Sequence, residues 1–297
     1  MTRYSSARSR GAELVALSVL IAVAVGCNIS IPGVTPLHKE TRTSNIPHVS
    51  GAAIQVETVN GSVVVKQDER EDVEIVAHLK AVSAERLEAT KVVSERDEHG
   101  ALSISVEWPE GKPRNREGCR FEVLIPDATG VTLQASNGRL ELAGLEGDAE
   151  LTTSNGSIVV ESHSGAIKAK TSNGSINATK SQGVIDVNTS NGRITIADAT
   201  DQVVAKTSNG AVEVGIAAEG PGPIEVQTSN GTITLGLSST MRGELTLSTS
   251  NGSVNVDSNL ESKVVSKKKT SAVLDLGESE NPSSATTTNG SIRVKGG

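Results

Sequence analysis

One dipeptide recurs along most of this chain: Asn-Gly, with its Asn at 60, 137, 155, 173, 191, 209, 230, 251 and 289. From Asn137 to Asn251 the steps are 18, 18, 18, 18, 21 and 21 residues. Repeats of fixed length cannot each bury an inner face alone, so they stack as a solenoid. The flanks give the strands. Three and five residues after the Asn stand pairs such as Ile158/Val160, Ile194/Ile196 and Val254/Val256. Six and four residues before it stand pairs such as Ile167/Ala169, Ile185/Val187 and Leu245/Leu247. Between them lie mostly polar residues, among them Lys168, Asp186, Thr195 and Glu213. Alternation over such short runs describes half-buried strands. A second mark, Gly147, Gly165, Gly183, Gly222 and Gly243, stands eight residues before the Asn, with Asp201 as the exception. Each coil is then two strands and two turns in about 18 residues. Strands that stack on their own copies must run parallel, about 4.8 Å apart. The expected fold is all-β, a parallel β-solenoid.

The corner residues predict a structural role. Thr153, Thr171, Thr189, Thr207, Thr228 and Thr249 stand two residues before the Asn and share the inward parity. A buried hydroxyl needs a partner, and the copy one coil away is the expected one. Parity thus opposes an exposed Thr array of the ice-binding kind. Asn137, Asn155, Asn173, Asn191, Asn209, Asn230 and Asn251 are expected to form a second ladder, amide to amide. The Gly that follows is expected to supply positive φ for the bend.

The remainder divides as follows. Residues 1–26 read as a signal peptide: Arg3, Arg8 and Arg10 precede a largely apolar run of 12 residues, Leu14 to Val25, too short to span a bilayer. The run ends in Ala24-Val25-Gly26-Cys27, which resembles a lipoprotein cleavage box with Cys27 as the lipidated residue, although Ala24 and Gly26 also suit ordinary signal peptidase. Residues 27–50 are polar, hold three Pro and show no periodicity, so they read as a linker. Residues 51–130 hold the first coil and alternating runs at Val73–Leu79, Leu102–Val106 and Phe121–Ile125, with a short helix expected from Ser83 to about Val93. An N-terminal β-rich capping region is expected here, where Trp108 and Phe121 also lie. Residues 131–297 form the repeat region, with an irregular coil expected over 257–286.

Units such as Asn155-Gly156-Ser157-Ile158-Val159-Val160, preceded by a strand ending in Ile125-Pro126, resemble the bacterial β-strand-repeat proteins classed as candidate adhesins. The resemblance covers about residues 51–297. It implies an exported right-handed solenoid with an adhesive or surface role, and no catalytic residues.

The composition carries no signature of chemistry. Aromatics are 1% of the chain, and the net charge of −7, mixed along the sequence, argues against a nucleic-acid surface. Removing residues 1–26 takes away three Arg and one Glu and brings the charge to −9. With Cys27 lipidated, Cys119 has no partner in the chain; otherwise the two could pair in an oxidising compartment. The five His stand at no spacing that suggests a metal or a triad, and the cluster Asp68-Glu69-Arg70-Glu71-Asp72 reads as a solvated loop. Lys267-Lys268-Lys269 reads likewise. Calcium-binding β-rolls place Asp in Gly-rich turns; these turns carry no regular row of carboxylates, so no metal and no cofactor are expected. Polysaccharide lyases on parallel β-helices cluster carboxylates and a basic residue on neighbouring coils. Here the outward row Glu150, Lys168, Asp186, Val204, Glu225 alternates in sign and is interrupted. The expectation is a non-catalytic, adhesin-like envelope protein, held to a membrane by a lipid anchor, with an envelope glycan or a surface protein as partner. A polysaccharide-binding or polysaccharide-active protein, and a sensory or scaffold module, are the alternatives.

Overall fold

The computed structural model describes residues 37–296 apart from 221 and 280. Two long sheets, of 12 and 13 strands, face each other across a continuous core. In each sheet ten neighbouring strands run parallel, and they make ten stacked coils. The register is that of the repeat: Ile167 lies against Ile185, Ala169 against Val187, Thr171 against Thr189 and Asn173 against Asn191. In the facing sheet Ile158 pairs with Ile176, and Ile176 with Ile194. Each coil brings four or so small apolar side chains inward, and residues such as Ile158, Ile185 and Val187 are fully buried. Each such burial is worth about 1.5–3 kcal/mol. Small branched residues suffice because the two sheets leave a thin, even layer to fill.

The order of coils in the stack is not their order in the chain. The first Asn-Gly coil, strands Ile54–Asn60 and Val63–Gln67, lies second from its end. The outermost layer there is made by Leu102–Glu107 and Gly118–Ile125, which come later in the chain. The opposite end repeats this arrangement. The last coil, Ser283–Asn289 and Ile292–Gly296, enters between the Asn230 and Asn251 coils, and pairs in parallel with both. The first and last Asn-Gly coils are therefore each held one layer inside the stack.

Antiparallel strands close the ends. Asp72–Ala81 runs back along Gly118–Ile125, and Lys91–Arg96 along Leu102–Glu107. The helix between them is shorter than expected, Ala84–Ala89; Ser83 caps it by accepting the Arg86 N–H. Thr90 ends it in extended backbone. Phe121 is fully buried and Trp108 nearly so, which places the two large rings of the body under this cap.

Two expectations are corrected. Residues 38–47 are not linker: His38–Pro47 is a ten-residue strand, antiparallel to Asp72–Ala81 from His38↔Ala81 to Pro47↔Asp72. None of its residues is fully buried, so no apolar alternation marks it; backbone pairing to an open edge places it there. Residues 257–286 do not form an irregular coil. They hold a 3-10 helix, Ser258–Lys263, and the hairpin Val264–Lys267/Ser271–Asp275, which caps the Asn251 coil by pairing antiparallel with Glu244–Asn251. Ala272 and Leu274 alternate because they face Leu247 and Leu245 across that edge.

Candidate functional surface: the Asn-Gly corner

Along one edge of the stack the corner side chains form two hydrogen-bonded rows. Each Asn amide donates its Nδ2 to the Oδ1 of the Asn one layer nearer the N-terminal cap, at 2.8–2.9 Å: Asn137 to Asn60, Asn155 to Asn137, and so on through Asn173, Asn191, Asn209, Asn230, Asn289 and Asn251. Asn60 ends the row on the Glu117 carbonyl at 3.0 Å. The nine amides thus point one way. Apart from half-buried Asn60 they are exposed, as are the Ser residues that precede most of them.

The Thr hydroxyls are buried but do not bond to one another. Each donates to the carbonyl of the corner Gly in the neighbouring coil, at 2.8–3.2 Å: Thr153 to Gly138, Thr171 to Gly156, Thr189 to Gly174, Thr207 to Gly192, Thr228 to Gly210 and Thr249 to Gly290. Thr58 uses the Cys119 carbonyl, and Thr287 that of Gly231. Strand parity fixed the face correctly but not the partner, because the backbone turns at the corner and brings a carbonyl closer than the next hydroxyl.

Positive φ is found at the corner Gly61 (142°) and Gly290 (158°), but most corner Gly are required for another reason than expected. Gly138, Gly156, Gly174, Gly192 and Gly210 lie outside the left-handed region. A Cβ on any of them would stand only 1.8–2.0 Å from the carbonyl oxygen of the Gly one coil below. It is close approach of stacked backbones that excludes a side chain. Positive φ is needed at the second turn, as at Gly147 (85°) and Gly183 (104°).

That second turn also buries His163, whose Nε2–H donates to the Gly147 carbonyl at 2.8 Å. Burial holds its pKa below the ordinary 6.5, partly opposed by that bond. At the N-terminal cap, fully buried Glu117 receives Arg86 through Nε at 2.8 Å and Nη2 at 2.7 Å. The Arg86 hydrogen bonds, with those from the Arg114 and Val82 N–H groups, hold the Glu117 carboxyl down to about 2. No local pattern announces this pair, whose members are 31 residues apart.

Other polar groupings make their contacts within the fold. His48 and Ser50 both bond the same oxygen of Asp127, at 3.0 and 3.1 Å, and Asp127 also accepts the Gly51 N–H at 2.7 Å. Asp127 is thus a tie between two loops; a triad would need His48 on the hydroxyl. Beside Lys66 and the 68–71 loop lies an open depression of about 970 Å³. Its cations are engaged, Lys66 with Glu141 at 2.8 Å and Arg70 with Asp72 and Glu74 at 2.8 and 2.9 Å. Among the described residues no three His, Cys, Asp or Glu are grouped to hold a metal. The outward row Glu150, Lys168, Asp186, Val204, Glu225 runs across adjacent strands in register, with Lys206 bonding Glu225 at 2.6 Å. Cys119 is buried, which pushes its thiol up to about 12; Cys27 lies outside the described residues. No helix among the described residues is long and apolar enough to cross a membrane.

A parallel β-solenoid, capped at both ends by antiparallel strands and stitched along one edge by Asn-Gly corners, is the class that this architecture defines. The chain belongs to the Toastrack DUF4097 family, whose model matches residues 51–295. Among solved structures it is similar to a candidate adhesin from Bacteroides fragilis, at 12% identity and a TM-score of 0.51, covering 86% of this chain and 97% of that one. A candidate lipid-binding protein from Parabacteroides distasonis aligns at 11% identity and a TM-score of 0.40, over 86% and 96% of the two chains. Comparison with curated proteins gives no match.

Proposed function

We propose that this protein is an exported, non-catalytic rod of the bacterial cell envelope, tethered through a lipid on Cys27, with an adhesin-like role played by its long polar edge. The carrying observation is the exposed Ser-Asn-Gly edge. It repeats once per coil and, between Ser136 and Ser253, carries Arg139 and Arg193 as its only charges. Ten coils at about 4.8 Å give a body roughly 45 Å long. Such an edge suits an extended, repetitive ligand such as an envelope glycan better than a compact small molecule, which needs a concave pocket. The similarity to a Bacteroides fragilis candidate adhesin agrees with this reading.

Fractionation with lipid labelling tests the tether: the label and the membrane association should both vanish in Cys27→Ser. A C27S protein that stays in the membrane fraction would overturn the lipid tether. Pull-down on purified envelope glycan, beside whole envelope extract, tests the edge. Retention by the glycan is expected, with loss on Ser172→Lys/Ser190→Lys/Ser208→Lys, which leaves the core untouched. Recovery of one defined protein in place of glycan would favour a scaffold instead.

A further inference from the structure

The C-terminal cap concentrates positive charge on a chain that is acidic as a whole. Residues 260–270 read Leu-Glu-Ser-Lys-Val-Val-Ser-Lys-Lys-Lys-Thr, four lysines against one Glu. Lys263, Lys267, Lys268 and Lys269 are exposed, and none forms an ion pair among the described residues. Between them Val265 is 69% exposed, more than any other large apolar residue described. The segment is not a loose loop. The Lys268 N–H donates to the Ser271 carbonyl at 2.8 Å, and the Lys269 and Thr270 carbonyls accept from Val254 and Thr249 of the terminal coil at 2.9 Å each. The lysines therefore stand on a fixed hairpin tip.

Lysine on an outer strand also discourages edge pairing. That role leaves two things unaccounted for. Lys268 and Lys269 lie past the end of the strand Val264–Lys267, and an outward Val265 works against solubility. The edge strand at the other cap, His38–Pro47, pairs its own Arg42 with Glu40 at 2.8 Å. Clustered unpaired lysines around a protruding apolar side chain match an interface that is anionic at its surface and apolar just beneath.

We propose that this cap docks on an anionic lipid surface, the four lysines on headgroup phosphates and Val265 in the boundary with the acyl chains. It lies at the opposite end of the stack from the first described strand, His38–Pro47, and the proposal does not depend on Cys27. The test is flotation of the C27S protein with vesicles of phosphatidylcholine alone and of phosphatidylcholine containing phosphatidylglycerol, with soluble polyphosphate as competitor. Binding is expected to the phosphatidylglycerol vesicles and not to phosphatidylcholine, weakening as salt rises. K267Q/K268Q/K269Q should lower it about a hundredfold, at roughly fivefold per lysine. Val265→Ser should lower it by about tenfold or less while leaving polyphosphate binding unchanged. Thermal melting of both variants should match the parent, since the substituted side chains are exposed. Failure to float with phosphatidylglycerol, or floating that K267Q/K268Q/K269Q leaves intact, overturns the proposal. So does polyphosphate binding as tight as vesicle binding with no effect of V265S, which would mark a soluble polyanion as the partner.

Discussion

A methyl group at position 192 would sit 1.9 Å from the Gly174 carbonyl oxygen, whereas the neighbouring Asn191 amide lies in water. The two positions should therefore respond very differently to alanine. Gly192→Ala is expected to cost about 3 kcal/mol or more, because backbone must move to admit it. Asn191→Ala breaks two hydrogen bonds, at 2.9 Å each, but water replaces them, so about 1 kcal/mol is expected. Thr189→Val keeps the buried volume and removes only the donor to Gly174, again about 1 kcal/mol. Urea unfolding of the three variants ranks them; an Asn191→Ala loss as large as that of Gly192→Ala would refute this ordering. His163 sets a pH dependence. Its pKa is lower in the folded protein than in the unfolded chain, so the unfolded state binds the extra proton first. Stability should hold above about pH 6.5 and decline as pH falls below it. His163→Leu, which copies Leu145 at the same place one coil away, should abolish that slope between pH 7 and pH 5.

At the scale of elements, what the sequence disclosed depended on whether burial or backbone pairing placed the segment. Strands such as Ile185–Asn191 were legible because apolar residues recur in phase, and stacking them puts like on like. His38–Pro47 was not, since it has no buried face and is fixed by ladder bonds that any polar sequence can make. The Asn row was legible too, for every copy must meet its neighbour. The partner of each Thr and the reason for each Gly were hidden, because both depend on where the turning backbone places its carbonyl. The N-terminal cap predicts its own acid lability. Glu117 is held down to about 2 by Arg86, so its contribution is complete above the ordinary carboxylate range and is lost as pH falls from about 4.5 toward 2. Hydrogen-exchange protection of Asp72–Ala81, taken relative to the intrinsic rate at each pH, should fall over that interval before that of mid-stack strands. In Glu117→Gln the loss of protection should already be present at neutral pH.

For the whole molecule, the unforeseeable part was the order of layers. Apart from Thr288 in place of Ser, Thr287-Thr288-Asn289-Gly290 matches the mid-chain corners, and that one difference does not say which coil it joins. Its place inside the stack makes a prediction. A chain ending at residue 278 would leave Val226 and Leu247 facing an empty layer that Ala285 fills in the intact protein, and would remove the strand that both neighbours pair with. Such a chain should bind a hydrophobic dye and aggregate. A synthetic peptide of residues 281–297 should restore a cooperative melt; no rescue would mean that the layer closes without it.

The buried position of both terminal coils also bears on how a gene for such a rod can grow. A unit inserted directly after the strand Ile292–Gly296 would emerge from an interior layer, with the Asn251 coil already occupying the next place. Added length must come from within, by copying an internal stretch such as residues 156–173, one full 18-residue step between identical corners. Sister proteins of different lengths should accordingly differ in the number of mid-chain units while keeping the two end segments nearly constant in size.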